Sequence, residues 1–121
     1  MRQHLLVFTL TLGIFVPTSS LAQDFKKATP QLLEKGKASY MINCLTCHGE
    51  KGDGNGVAGQ YMNPKPRDFA KAKFKKGKKP EQIFNTLTKG MDGTSMASFA
   101  SLSEEERWAV AHYVLSFTKR K

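Results

Sequence analysis

Two thiols and an imidazole stand together at Cys44-Leu45-Thr46-Cys47-His48. Cysteines separated by two residues can add across the two vinyl groups of a haem, and a histidine directly after them is placed to ligate the iron from one face. The spacing describes a covalent attachment site for one c-type haem. Two blander chemistries use the same Cys-x-x-Cys element. A redox dithiol belongs at the end of a strand in a βαβ pattern, and nothing around Cys44 alternates in that way. A structural zinc site needs four ligands. The chain has no third cysteine, and its other histidines are His4, near the amino terminus, and His112, far along the chain.

Haem attachment of this kind and oxidation-prone paired thiols both belong outside the cytosol. The amino terminus agrees. Arg2 supplies a positive start, Leu5 to Val16 form an apolar run, and Ser20-Leu21-Ala22 presents small residues where a signal peptidase reads. Residues 1–22 are therefore expected to be a signal peptide cleaved after Ala22, leaving an exported, soluble chain of 99 residues, 23–121. The apolar run is shorter than the roughly 20 residues a membrane span needs, which makes a retained anchor the weaker alternative. So short a chain forms one small domain with a marginal apolar core, and an enclosed haem would add a rigid apolar body to it.

Three helices are expected to position the motif, giving an all-α fold with long loops around the cofactor. The first runs from about Thr29 to Asn43, with Thr29 as N-cap, Pro30 in the first turn, and Leu33, Gly36 and Tyr40 on one face. It delivers Cys44 at its end. The second spans about Pro80 to Lys89, where Ile83, Phe84 and Leu87 make an apolar stripe and Gly90 the stop. The third starts at the capping box Ser103-Glu104-Glu105-Glu106, whose carboxylates also suit the positive end of the helix dipole. Trp108, Val110, Ala111, Val114, Leu115 and Phe117 form its broad apolar face, and Lys119, Arg120 and Lys121 complement its other end. Residues 49–79 and 91–102 hold too many glycines, prolines and lysines for regular structure, and no strand pattern appears. Gly52-Asp53-Gly54-Asn55-Gly56 reads as a tight turn, since it lacks the later glutamate of a calcium loop and the lysine-serine pair of a phosphate loop.

An iron held by His48 keeps a sixth position, and its occupant separates electron transfer from chemistry on a small ligand. Met62, Met91 and Met96 are the open candidates. Met41 is too near Cys44 to reach the far face, and His112 sits on a helix in surroundings suited to packing or solvent. Met96 lies in the glycine-containing turn Gly93-Thr94-Ser95-Met96-Ala97 ahead of a capped helix. A loop methionine that merely fills a gap in the core is the competing reading for each.

The mature sequence resembles class I cytochromes c, within them the small bacterial monohaem type. The resemblance is carried by Gly36 and Tyr40, Cys44-Leu45-Thr46-Cys47-His48-Gly49, Gly52-Asp53-Gly54, Gly90-Met91, Gly93-Thr94-Ser95-Met96, and the Leu102-to-Glu106 helix start with Trp108 and Tyr113. It implies a cytochrome c fold and Met96 as the second axial iron ligand beside His48. A proline carbonyl, Pro66 rather than Pro64, would accept a hydrogen bond from His48 Nδ1 and so fix the ring. It further implies that the first and last helices cross at Gly36, near Trp108 or Tyr113. One departure stands out: the family usually has proline after the ligand methionine, where this chain has Ala97, so the ligand loop is expected to be less rigid. A His48/Met96 haem leaves no open coordination site, and methionine favours the reduced iron.

Charge adds a constraint on partners. The formal net charge is +9, and about +8 once Arg2 departs with the signal. Lys65, Arg67, Lys71, Lys73, Lys75, Lys76, Lys78 and Lys79 crowd one loop against Asp68 alone. That cluster would steer acidic redox partners, an attraction that salt weakens; the bland alternative is a solvated loop. Nucleic acid is not expected as a partner of an exported chain, and Phe69 and Phe74 read as core or haem-contact residues. No Ser-His-Asp set, paired-carboxylate site or phosphate loop is present, so no catalytic residue is expected. The leading expectation is a periplasmic one-electron carrier between redox partners, and the alternative a fixed haem subunit of a larger oxidoreductase. A third reading, a sensor or enzyme whose iron loses Met96, also stays open.

Overall fold

A computed structural model describes residues 24–71 and 73–119. The expected signal segment with its cleavage at Ala22, and the basic residues Arg120 and Lys121, lie outside them. The described residues contain helices and turns and no strand. Helix α1 spans Pro30–Asn43, a single turn α2 spans Leu45–His48, α3 spans Pro80–Lys89 and α4 spans Glu104–Phe117. A 3-10 turn at Gly59–Tyr61 falls inside the first long loop, where no regular structure was expected.

Helix ends follow from side-chain chemistry. Thr29 Oγ1 accepts from the Leu32 amide at 3.1 Å, with Pro30 in the first turn. At α4 the box closes both ways: Ser103 Oγ accepts from Glu106 N–H at 3.1 Å, and Glu106 Oε2 accepts from Ser103 N–H at 2.9 Å. Gln82 Oε1 accepts from the Lys79 amide at 2.9 Å and so closes the entry to α3. The far end of α4 differs from expectation, because the helix stops at Phe117 and Lys119 falls beyond the cap residue Thr118.

The scaffold is the crossing of α1 over α4, with α3 laid against α4. At Gly36 a Cβ would collide with the Ala109 carbonyl and press on Tyr113 Cβ at 3.0 Å, so the absence of a side chain sets the closeness of the helices. Tyr113 is thus the aromatic at the crossing. Trp108 instead faces α3 and stacks on Phe84 with centroids 4.5 Å apart. Tyr40, Tyr113 and Phe117 form an aromatic knot with centroids 5.2 to 5.5 Å apart. Tyr40, Val110 and Phe117 are almost wholly buried, and Ile83 and Leu87 of α3 join the same cluster. The Lys35–Glu105 ion pair across the crossing, at 2.6 Å, is exposed and contributes little.

Candidate haem site

Helix α1 runs straight into the motif. The amide of Cys44 still bonds the Tyr40 carbonyl at 2.8 Å, and Leu45–His48 then form the separate turn α2. Tyr40 Oη donates to the Gly49 carbonyl at 2.7 Å, tying the end of the motif back to the helix that delivers it. Residues 49–61 hold the motif from the outside. Side chains at Gly56 and Gly59 would overlap the carbonyls of Thr46 and Cys47, so the glycine-rich loop lies directly on the motif backbone. The expected tight turn is present: Gly52 and Gly54 both have positive φ, and Asp53 Oδ1 accepts from the Asn55 amide at 2.9 Å. The contacts of Gly56 and Gly59 with the motif carbonyls have no local signal in the sequence.

Cys44, Cys47 and His48 line one wall of a cavity of about 280 Å³. Ile83 and Leu87 of α3, Val110 and Val114 of α4, and Phe69 and Phe74 of the basic loop supply apolar lining. Met62, Met91 and Met96 all reach the same cavity, whereas Met41 and His112 do not. His112 is buried on α4, with Nε2 3.0 Å from the Phe25 carbonyl, which accounts for it as packing. Among the methionines of the described residues Met96 alone packs against the buried core cluster. Its loop is closed on itself: Met91 N–H donates to the Met96 carbonyl at 3.0 Å, Met96 N–H to Thr94 Oγ1 at 3.1 Å, and Thr94 Oγ1–H to the Met91 carbonyl at 2.7 Å. Ser98 Oγ–H donates to the Thr88 carbonyl at 2.6 Å and Phe99 N–H to the Leu87 carbonyl at 2.7 Å, fastening the loop to the end of α3.

Pro66 lines the cavity, but the bond from His48 Nδ1 to its carbonyl is not made, and Nδ1 is buried without a hydrogen-bond partner. Two neighbours set the surroundings of these groups. The Pro66 carbonyl is packed onto Gly54, where a Cβ would collide with it, and the imidazole face is stacked on Phe69 at 4.8 Å and 20°. Phe69 is the residue that sequence reading placed only loosely.

Burial sets the protonation of the donors. It pushes the His48 pKa down to about 4, so the ring is neutral at pH 7 and keeps a lone pair for a metal. Burial, with the neighbouring Cys47 second, pushes the Cys44 thiol up to about 12, so it stays a thiol and a poor partner for disulfide exchange. Both cysteines are free. Among the described residues no three His, Cys, Asp or Glu side chains gather to bind a metal, which leaves the zinc reading without ligands. The residues present fit a haem: two thiols and a neutral imidazole lining an apolar cavity, with thioethers elsewhere in its lining. Positive charge rims the cavity through Lys65, Arg67, Lys75 and Lys76. Two of the rim cations are tied locally, Lys65 to Asn55 Oδ1 at 2.5 Å and Arg67 to the Lys73 carbonyl.

Known proteins carry the same pattern. The family model described as cytochrome C oxidase, cbb3-type, subunit III, matches residues 31–114. Thiosulfate dehydrogenase of Stutzerimonas stutzeri (strain A1501) is 30% identical over 84 residues, which is 69% of this chain and 27% of that protein. Among solved structures, a chain of the Kuenenia stuttgartiensis reducing HAO-like protein complex aligns with a TM-score of 0.69 and 37% identity, covering 75% of this chain and 46% of that chain. The chain thus spans between about a quarter and a half of the length of these relatives. The match runs from the first turn of α1 to Val114 in α4 and contains the attachment motif, the cavity and the Met96 loop. This chain therefore belongs to the cytochrome c family represented by subunit III of cbb3-type cytochrome c oxidase, an electron-transfer domain that binds covalent haem c.

Proposed function

We propose that this chain is a periplasmic one-electron carrier, with Cys44 and Cys47 as thioether anchors and His48 and Met96 as the two axial ligands of the iron. Bound haem supplies one-electron exchange between ferrous and ferric iron. The chain's residues do the rest. His48 is kept neutral by burial and so available as a ligand, Met96 is held by a hydrogen-bonded loop fastened to α3, and apolar residues of α3, α4 and Phe69 exclude water. With both axial positions filled the chain has no catalytic role of its own, and its partners are the electron donor and acceptor. The observation that carries this reading is a single apolar cavity lined by both cysteines, His48 and Met96.

Export and the partner chemistry rest on sequence and charge. Seven exposed lysines from Lys65 to Lys79 face solvent, and among the described residues only Lys71 has a carboxylate within ion-pair distance, Asp68 at 3.6 Å. Such a field speeds encounter with acidic partners and is screened by salt. Among the described residues no helix is long and apolar enough to cross a membrane. Fractionation of cells expressing the full chain should place it in the periplasm, shortened at Ala22, and its reoxidation by an acidic partner should slow as salt rises. A cytoplasmic product or a salt-independent rate would break the corresponding part of the proposal.

A second reading, a fixed haem subunit of a larger oxidoreductase, is favoured by the relatives: both are longer, and one belongs to a multi-chain complex. Purification from native cells separates the two. A free monomer supports the shuttle, and a stoichiometric partner retained through gel filtration supports the subunit.

A further inference from the structure

Outside the haem cavity, a second groove of about 460 Å³ lies on the outer side of α3. Gln82, Asn85 and Lys89, at positions i, i+3 and i+7, present one helix face to it. Lys75 and Lys76 of the basic loop and Asp92 also line it. The loop is set against the helix by close fit, since at Gly77 any side chain would overlap the Gln82 carboxamide. The Gln82 oxygen is taken by the Lys79 amide at 2.9 Å, which leaves its NH2 as the donor. Among the described residues none of Lys75, Lys76 and Lys89 has a carboxylate within ion-pair distance. Three ammonium groups and one carboxylate leave the groove two positive charges in excess, with amide donors between them.

From this convergence we infer that the groove binds a small tetrahedral dianion of the sulfate or phosphate kind. Charge-assisted hydrogen bonds from lysine to an oxoanion are stronger than neutral ones, and a concave site supplies several at once. Two features oppose binding. The carboxylate of Asp92 repels an anion, and the negative end of the α3 dipole acts in the same direction. Three unpaired lysines outweigh both. The groove shares Lys75, Lys76, Thr86 and Met91 with the haem cavity, whereas Gln82, Asn85, Lys89, Gly90 and Asp92 line the groove alone. Lys89 is therefore the position that reports on the groove without touching the haem lining.

The test uses the haem-loaded full chain, titrated with sodium sulfate and separately with sodium phosphate at constant ionic strength, sodium chloride making up the balance, and followed by NMR of the Asn85 side-chain amide. Saturable shifts with a half-point on the order of 1 mM are expected for both anions. Lys89→Gln should raise that half-point about tenfold. Lys37→Gln removes the same charge from the exposed side of α1, which does not touch α3, and should leave it unchanged. Shifts that stay linear and match those of chloride would overturn the inference. So would equal effects of the two substitutions, or saturation by an acidic peptide but by neither inorganic anion.

Discussion

The α1–α4 crossing and the loops that wall the cavity are built on opposite principles. The crossing is made of complementary surfaces that need nothing else: a glycine against a carbonyl, three interlocked aromatic rings and helix ends closed by their own side chains. The loops from 49 to 79 and from 90 to 102 instead turn Phe69, Phe74, Met62, Met91 and Met96 toward a shared space. The helices hold one another by direct contact and lend Ile83, Leu87, Val110 and Val114 to the cavity, and the loops supply much of the rest of its lining. A small chain can afford loops this long because the bound group completes the core they surround.

Removing the cofactor's anchors should break the second region most completely. Cys44→Ser with Cys47→Ser abolishes covalent attachment, so a denaturing gel stained for haem is blank and the mass under denaturing conditions is that of the bare polypeptide. Next comes the scaffold. Gly36→Ala forces apart two helices that meet at the Ala109 carbonyl and should cost about 3 kcal/mol in thermal unfolding of the haem-loaded protein. Gly93→Ala is its counterpart in the loops: φ is 72° there but nothing lies within 4 Å of the added carbon, so backbone strain alone applies, at about 1 kcal/mol. Equal costs at the two glycines would erase the distinction between the regions.

Tyr40 joins the two halves. Tyr40→Phe leaves the Gly49 carbonyl without its 2.7 Å partner and should cost about 1.5 kcal/mol while the haem stays attached. The smallest effect belongs to the α4 cap. Hydrogen bonds from the Ser103 backbone, then from its hydroxyl, hold the Glu106 carboxyl below the usual carboxylate range. Its folded pKa is thus lower than its unfolded one. The stabilisation is present above the unfolded value and lost as pH falls through the folded one, from about pH 5 downward. Glu106→Gln should flatten that acid limb of the melting temperature, and a limb of unchanged slope would dissociate the cap from it.

The scaffold was legible because its signals are local. Thr29 with Pro30 and Ser103 with Glu106 announce helix starts by side-chain chemistry within one turn, and the apolar spacing of α3 and α4 names their buried faces. The attachment motif is equally local. The lining is not: nothing near Phe69 in the sequence shows that it stacks on His48, and nothing near Gly56 or Gly59 shows that they press on the motif carbonyls. Those relations are made by chain segments meeting across the fold. The position of the Pro66 carbonyl, packed against Gly54, is likewise set by tertiary packing. Met62, Met91 and Met96 all reach the cavity, so proximity alone does not rank them, and the ordered loop and core packing of Met96 carry its assignment.

That assignment is the central claim, and the absorption spectrum of the oxidised protein tests it most directly. Thioether ligation of ferric haem gives a weak deep-red charge-transfer band. The band is expected in the wild type, in Met62→Ala and in Met91→Ala, and is expected to vanish in Met96→Ala with covalent haem retained. Survival of the band in Met96→Ala, or its absence from the wild type, would contradict a His48/Met96 electron-transfer site.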